Sequence, residues 1–501
     1  MVNKSNVRSL FSVGVLVIMC LAFVASAKQV PAELPDPDGK PGDATKPVKV
    51  YILAGQSNMV GFGRLSGAKN SYDAIYLTAD GNVPKGQLNV FRGGNYKIDE
   101  LVVSDAEISV YEGAYDAGID YDKAKPVMRT AVDFGVTGND LSFSDEHTCV
   151  IRAVIEVPKT GSYICSPGYM DSSYNVMTLD GKEVYRRNAG ESAVREKVTL
   201  EKGKSYPVEI TFFKGGSTAF WMSQVDLQGM GDLETITKSE GKFPWMIDDD
   251  GNWTVRNDVW YQEVRLHDRG CPLSATSNDS RHVGPEVPFG YVMGEFHDEQ
   301  VLLIESSQGN RSLSQDFRPP SSGRTDPESK WEGLEYRLMV EGVHKTLDNI
   351  DKIVPGYKGQ GYEIAGFVWW QGHKDRGQSK TEYEKHLINL IEDVRREFDA
   401  PEMKAVVASV GFEGYNINDD YAKIHAAQMA VGDPEQHPEF AGKVKSIDTR
   451  GFWRERDESP TGTGYHYNHN AETYMLTGDA LGRAMVELQG GEAEALGYGN
   501  R

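Results

Sequence analysis

Five short apolar runs set the terms on which this chain can fold. Val48-Lys49-Val50-Tyr51-Ile52-Leu53-Ala54 is almost wholly apolar and stops at Gly55, and similar runs recur at 301–305, 364–370, 404–410 and 444–447. Segments with helical periodicity lie between most of them, at 331–347, 383–398 and 421–431, with a last one at 471–488. A strand that is apolar along its whole length must be covered on both faces, which is the condition of a parallel sheet with helices on either side. Right-handed crossovers then make an α/β fold, a three-layer doubly wound parallel sheet.

Between the first run and the second this rhythm breaks. From 108 to 227 the pattern alternates and is punctuated by turns. Pro158-Lys159-Thr160-Gly161 separates 150–157 from 162–169, Asp180-Gly181 separates 177–179 from 182–186, and Lys214-Gly215-Gly216 separates 206–213 from 219–227. Turn signals at this density predict an antiparallel β-sandwich inserted into a loop of the α/β domain. The main domain then comprises 48–66 and 280–488, and the polar, Asp/Gly-rich segment 228–279 returns the chain to it. Asp248-Asp249-Asp250 lacks the spaced ligands of a calcium loop and reads as a solvated turn. Residues 28–47, rich in Pro, Asp and Gly, read as a linker, and 489–501 as a tail.

The N-terminus carries Lys4 and Arg8, an apolar run from 11 to 25, and Ala25-Ser26-Ala27. These are the parts of a cleavable signal peptide over 1–27, which predicts a secreted or periplasmic protein. The run is short for a bilayer span, so no stable membrane insertion is expected. Beyond that segment three cysteines remain. Cys149 and Cys165 lie on neighbouring strand-like runs and either pair or serve as small buried apolar residues. No Cys or His spacing suggests a metal site. The formal net charge of −21 disfavours nucleic acid and anionic lipid as partners, and favours a neutral ligand.

In a parallel sheet, ligands bind at the carboxyl ends of the strands. The first run ends at Gly55-Gln56-Ser57-Asn58-Met59, so Ser57 stands where a nucleophile belongs. The second ends at Ser306-Ser307-Gln308-Gly309-Asn310, the third at Trp369-Trp370-Gln371-Gly372-His373, and Gly464-Tyr465-His466-Tyr467-Asn468 precedes the last helix. A serine hydroxyl needs an adjacent base, and a histidine on a converging loop supplies one. Trp369 and Trp370 read as one side chain facing each layer, for core packing or as a platform for a sugar ring.

These pieces, with Gly284-Pro285-Glu286, resemble the SGNH hydrolases, and within them the sialate O-acetylesterase-like branch that also holds carbohydrate esterase family six. The resemblance covers 48–66 and about 280–488. The insert resembles, more loosely, sugar-binding sandwiches of the protective-antigen type. The resemblance implies Ser57 as nucleophile and His466 as general base. It also implies an oxyanion hole from the N–H groups of Ser57 and Gly309 with the Gln371 amide, a donor of this kind being worth about 100- to 1,000-fold in rate. Gln56, Asn58, Glu286 and His373 would contact substrate, with Glu286 alternatively serving only the electrostatics of a helix start. The reaction implied is removal of O-acetyl groups from carbohydrate through an acetyl-enzyme, with no cofactor.

Two positions depart from the family pattern. Thr463 stands where an Asp usually precedes the histidine, and His373 replaces a Glu. An acid orienting His466 would then come from Asp375, Asp457, Glu458 or Glu472, of which Glu458 is favoured, because a turn through Pro460 and Gly462 can return it to His466; a Ser–His dyad without a third acid is the alternative. His469 is a second candidate for the base. Missing acids also leave open a catalytically inactive glycan-binding protein on an esterase scaffold. The acidic balance leans toward an acetylated neutral glycan rather than sialic acid.

Overall fold

The computed structural model describes residues 28–78, 87–91, 101–131, 139–142, 147–167, 174–188, 191–213, 217–227 and 229–498. The signal peptide expected over 1–27 and the turn at 214–216 lie outside the described residues.

The main sheet contains, in chain order, β1 (Val48–Gly55), β2 (Val255–Glu263), β3 (Arg269–Ser274), β4 (Val301–Ser307), β5 (Tyr362–Trp370), β6 (Lys404–Ala408) and β7 (Val444–Ile447), arranged in space as β3-β2-β4-β1-β5-β6-β7. Neighbours run parallel except β2 and β3, which are antiparallel. Among the described residues the α-helices are α1 (Ser57–Val60), α2 (Glu286–Phe296), α3 (Leu334–Asp348), α4 (Lys380–Glu397), α5 (Asp419–Val431) and α6 (Ala471–Leu488), with a further single turn at Ile350–Ile353 after α3. Three of them start at the polar residues that favour helix entry: Ser379, Asn418 and Asn470 each accept a backbone N–H of the first turn.

Both faces of the sheet are covered, as apolar strands demand. The two consecutive tryptophans show how. Trp369 packs edge-on to Phe317 and donates its indole N–H to Tyr383 of α4 at 3.4 Å. Trp370 points the other way, onto Tyr467 and Tyr474 of α6. Each is wholly buried, so neither is a sugar platform.

The segment 228–279 does more than return the chain, for it supplies β2 and β3, the edge pair of the main sheet. Arg256, Asn257, Asp258, Gln262 and Glu263 break up the apolar run of β2, which is why a search for continuous apolar strands passes over it. The linker and tail are also built in. Gln29–Val30 pairs in parallel with Glu492–Ala493, and the Arg483 guanidinium donates to the carbonyls of Pro31 (2.8 Å) and Ala32 (2.9 Å).

The insert is a sandwich of two antiparallel sheets, one of six strands and one of seven among the described residues. It begins at Ala68–Thr78, well before 108. Of the three turns read from the sequence, the one at Asp180-Gly181 closes a hairpin between Tyr174–Leu179 and Lys182–Asn188. Both turn residues have left-handed φ (49° and 73°), the geometry that favours a two-residue hairpin. The turn at Pro158-Lys159-Thr160-Gly161 carries the chain from one sheet to the other, since His147–Glu156 and Gly161–Pro167 lie in different sheets; Ser205–Phe213 and Ser217–Leu227 likewise belong to different sheets. Cys149 comes from one sheet and Cys165 from the other, and both are buried free thiols.

Candidate active site

The turn after β1 is fixed by two close approaches. A Cβ on Gly55 would lie 2.1 Å from the Trp370 carbonyl oxygen on β5, and one on Gly61 (φ +91°) would lie 2.5 Å from the Gly284 Cα. Only glycine fits either place. Ser57 opens α1 between them, 6% exposed. Next to it, Asn58 reaches across to the loop before α6. Its Nδ2 donates to the Tyr465 carbonyl (3.2 Å), and its Oδ1 accepts from the Tyr474 hydroxyl (2.9 Å). The same hydroxyl lies 3.2 Å from the His466 carbonyl oxygen. Asn58 therefore ties the Ser57 turn to the His466 loop, although the two are at opposite ends of the domain sequence.

The His466 loop is strained and braced. Tyr467, Asn468 and His469 all have left-handed φ, at 49°, 53° and 57°, a conformation that costs of order 1–3 kcal/mol per residue. Hydrogen bonds from Asn468 Nδ2 to the Arg454 carbonyl (3.0 Å) and from Gly411 N–H to the Tyr467 hydroxyl (3.0 Å) hold it. The His466 ring stacks flat on Phe62, centroids 4.3 Å apart at 7°, and meets Tyr465 edge-on. Burial, reinforced by His373 and His282, pushes its pKa down to about 3.

Among the described residues no carboxylate is hydrogen-bonded to His466. Glu458 presents its backbone carbonyl to Asn470 Nδ2 (3.1 Å) and makes no hydrogen bond to the imidazole. Glu472 is taken by Arg454 and Lys242, each at 3.0 Å. Asp375 accepts from the backbone N–H groups of Leu313 (2.7 Å) and Ser314 (3.0 Å), stitching the loop after β4 to the loop after β5. The aspartate–histidine pair of this neighbourhood is another one: Asp279 Oδ2 lies 2.8 Å from His282 Nδ1. His282 in turn packs beside Phe62, on whose ring His466 is stacked. Asp279-Ser-Arg-His282 has the Asp-x-x-His spacing missing at 463–466, and that spacing was the available sequence signal.

Several expected contacts turn out to be internal. The Gln371 amide nitrogen faces three acceptors: Gln56 Oε1 (3.1 Å), the Arg311 carbonyl (2.9 Å) and Asp375 Oδ2 (2.6 Å). Two N–H bonds cannot satisfy three acceptors and also serve an oxyanion, so Gln371 is a strut. Gln56 is its partner and is 1% exposed, while Asn58 is 3% exposed. Neither side chain reaches the cleft. Glu286 is completely buried, with one oxygen on the Gly284 N–H (3.2 Å) and the other without a partner. Burial raises its pKa to about 8, and a carboxyl sealed from solvent is an interior group rather than a substrate contact.

Gly309 fits its expected place better. It follows β4, the neighbour of β1, and a Cβ on it would meet nothing within 4 Å. Its N–H and that of Ser57 have no acceptor among the described residues. His373 lies in a row of rings between Tyr421 and Tyr465, with Nδ1 2.5 Å from the Tyr421 hydroxyl. Burial lowers its pKa to about 4. Beside this row opens a cavity of 860 Å³ lined by Tyr421, Trp453, Tyr465, Arg376, Glu455 and Arg456, among others. No group of acidic, histidine or cysteine side chains able to hold a metal ion occurs among the described residues.

The family model described as carbohydrate esterase, sialic acid-specific acetylesterase, matches residues 224–487. No curated protein matches the chain by sequence. Among solved structures, similarity extends to a protein from Arabidopsis thaliana (14% identity, TM-score 0.33, covering 47% of this chain and 82% of that one). A carbohydrate acetylesterase from Xanthomonas citri matches at 11% identity and TM-score 0.31, over 66% of this chain and 72% of that one. A family two carbohydrate esterase from Cellvibrio japonicus matches at 12% identity and TM-score 0.25, over 84% and 99%. At these TM-scores the structural matches add no weight to the assignment.

Proposed function

The chain belongs to the sialic acid-specific acetylesterase family of carbohydrate esterases, and from that premise we propose that it is a secreted serine esterase that removes O-acetyl groups from carbohydrate through an acetyl-enzyme. The observation that carries this reading is the Asn58 bridge, which gathers the Ser57 turn and the His466 loop at the carboxyl ends of β1 and its neighbours.

In the proposed reaction, Ser57 Oγ attacks the acetyl carbonyl while His466 takes its proton. The N–H groups of Ser57 and Gly309 receive the negative charge that develops on the carbonyl oxygen. The C–O bond to the sugar breaks, and the imidazolium returns the proton to the departing hydroxyl. Water then repeats the sequence on the acetyl-enzyme, releasing acetate. The cavity lined by Tyr465, the chain neighbour of His466, and by Tyr421 and Trp453 does not itself include Ser57 or His466, but its aromatic walls and mixed charges have the makeup of a sugar-binding groove leading toward them.

Fluorophosphonate labelling followed by mass spectrometry tests the nucleophile, and acetate release from acetylated polysaccharides and O-acetylated sialic acids tests the substrate class. The adduct is expected on Ser57; an adduct at another residue would mean that the nucleophile lies elsewhere, and no adduct at all alongside sugar binding would favour the non-catalytic alternative. The labelling rate also reports the base. Because burial disfavours the imidazolium, His466 stays the free base until the pH nears 3. The rate should therefore stay level from pH 8 down to about 4. An acid limb near the ordinary histidine value would show that the group acting as base is not desolvated in this way, and a His466→Ala variant that keeps the labelling rate would remove His466 from the role.

A further inference from the structure

The seam between the main domain and the sandwich gathers donors that have nothing to bind. Phe62 leads into the two-residue strand Gly63–Arg64, which pairs with His282–Val283 so that Arg64 sits opposite His282. The chain then enters the sandwich at Ala68. The next residue, Lys69, gives its backbone N–H to the Pro460 carbonyl (2.7 Å), which places it against the His466 loop. On that loop His469 lies with its ring 5.6 Å from His466, 5.7 Å from Phe62 and 6.2 Å from His282.

None of Arg64, Lys69 and His469 has a charge partner among the described residues. Both ring nitrogens of His469 are buried without a hydrogen-bond partner. The Arg64 guanidinium donates to the Ser66 carbonyl (3.3 Å) and has no carboxylate partner among the described residues. The acids nearest it are spent elsewhere. Asp232 accepts from Thr235 N–H (3.1 Å) and Oγ1 (2.8 Å), and Asp279 from the N–H groups of Arg281 and His282 as well as the His282 ring. The Lys69 ammonium likewise has neither a hydrogen bond nor an ion pair among the described residues. Burial pulls Arg64 and Lys69 below their ordinary pKa values, with further lowering from Arg281 and from Arg64 respectively. The same two cations depress His469, after its burial and the neighbouring histidines.

Arg64 and Lys69 are half-buried; a partly desolvated cation without a counter-ion is costly, and unsatisfied buried donors such as those of His469 are rare enough to call for a cause. Here two cations and an imidazole share one side of a seam, one side chain away from His466. We propose that Arg64, Lys69 and His469 form an oxyanion subsite that takes a carboxylate or sulfate group of the glycan whose acetyl ester reaches Ser57. A guanidinium forks onto two oxygens of such a group, and an ammonium adds a point charge. This inference rests on the reading of Ser57 and His466 as the reaction centre. It also reverses the lean toward a neutral glycan, since a net charge of −21 sets the far field and not the field inside one seam.

Calorimetric titration of the Ser57→Ala protein reads the subsite without turnover, using glucuronate and, separately, inorganic sulfate, with glucose as neutral control. Either anion should bind at least tenfold more tightly than glucose. Lys69→Gln and Arg64→Gln should each weaken that binding tenfold or more, with thermal melts confirming that both variants fold. Tighter glucuronate points to a uronic or sialic acid substrate, and tighter sulfate to a sulfated one. Equal binding of glucose, or anion binding unchanged in both variants, overturns the proposal. Turnover retained by Ser57→Ala would instead strike the reaction centre and leave the titration to be judged on its own.

Discussion

Ser57→Ala should lower acetate release by about 10⁴-fold or more, in the range reported when a serine nucleophile is removed from such a unit, while the melting temperature moves by no more than about 2 °C. The two halves of this expectation have separate grounds. The hydroxyl makes no hydrogen bond among the described residues, and the residue is nearly buried at the start of a four-residue helix. Deleting one oxygen there leaves no stranded partner and only a small void. The backbone N–H groups offered to the oxyanion are untouched, so any residual rate reports what they supply alone. Activity within tenfold of the parent would mean that the nucleophile lies elsewhere. A collapse of the melting temperature would mean that Ser57 is structural.

How far the sequence shows this site depends on what kind of fact is asked of it. The carboxyl ends of β1, β4 and β5 can be located from continuous apolar runs, because a doubly covered strand has no other way to be written. From those ends follow Ser57 and Gly309 as neighbours. The fate of a buried amide or carboxylate is different. Gln371 and Asp375 look like cleft residues in sequence, since both follow β5 closely. They become struts only because the loop after β4 passes within 3 Å and offers them backbone groups. Nothing local in the chain announces that approach. Glu286 is similar: a carboxylate at a helix start suits the helix electrostatics anywhere, and only packing shows that it is sealed from solvent.

The edge of the sheet was harder to see for a related reason. β2 carries Arg256, Asn257 and Asp258 in a row, and Arg256 is nevertheless 6% exposed. Its guanidinium is held by Asp258 two residues on and by the Tyr291 carbonyl (3.1 Å) on α2. Once paired, a charged residue can occupy a sheet, but hydropathy alone counts it as loop. The same blindness runs in the other direction at Arg64 and Lys69. In sequence they are two ordinary surface cations, and their lack of partners becomes visible only in the fold.

Glu472→Ala should be the most damaging single substitution outside the reaction centre, costing roughly 3–5 kcal/mol and lowering the melting temperature on the order of 10 °C. Glu472, at the start of α6, meets Arg454 through both oxygens at 3.0 Å, and the two side chains are only 7% and 2% exposed. Lys242 adds a third contact at 3.0 Å. Removing the carboxylate takes away the counter-charge of a buried guanidinium that then keeps neutral acceptors such as the Gly451 and Trp453 carbonyls; the backbone carbonyl of the same Arg454 anchors Asn468 of the strained His466 loop, so activity should fall together with stability. The pH dependence has a definite sign. Burial alone would raise the Glu472 pKa, but Arg454 and then Lys242 outweigh it and hold it below its ordinary value. The contribution is therefore fully present above the unfolded value of about 4.5 and is lost as the pH falls through the folded one. The penalty of Glu472→Ala, measured as the difference in melting temperature from the parent, should shrink between pH 6 and pH 3. The double variant Arg454→Met/Glu472→Leu should recover much of the loss, because the cost lies in the stranded charge rather than in the missing attraction. A double variant as unstable as Glu472→Ala would show instead that the geometry of the pair itself holds the His466 loop in place.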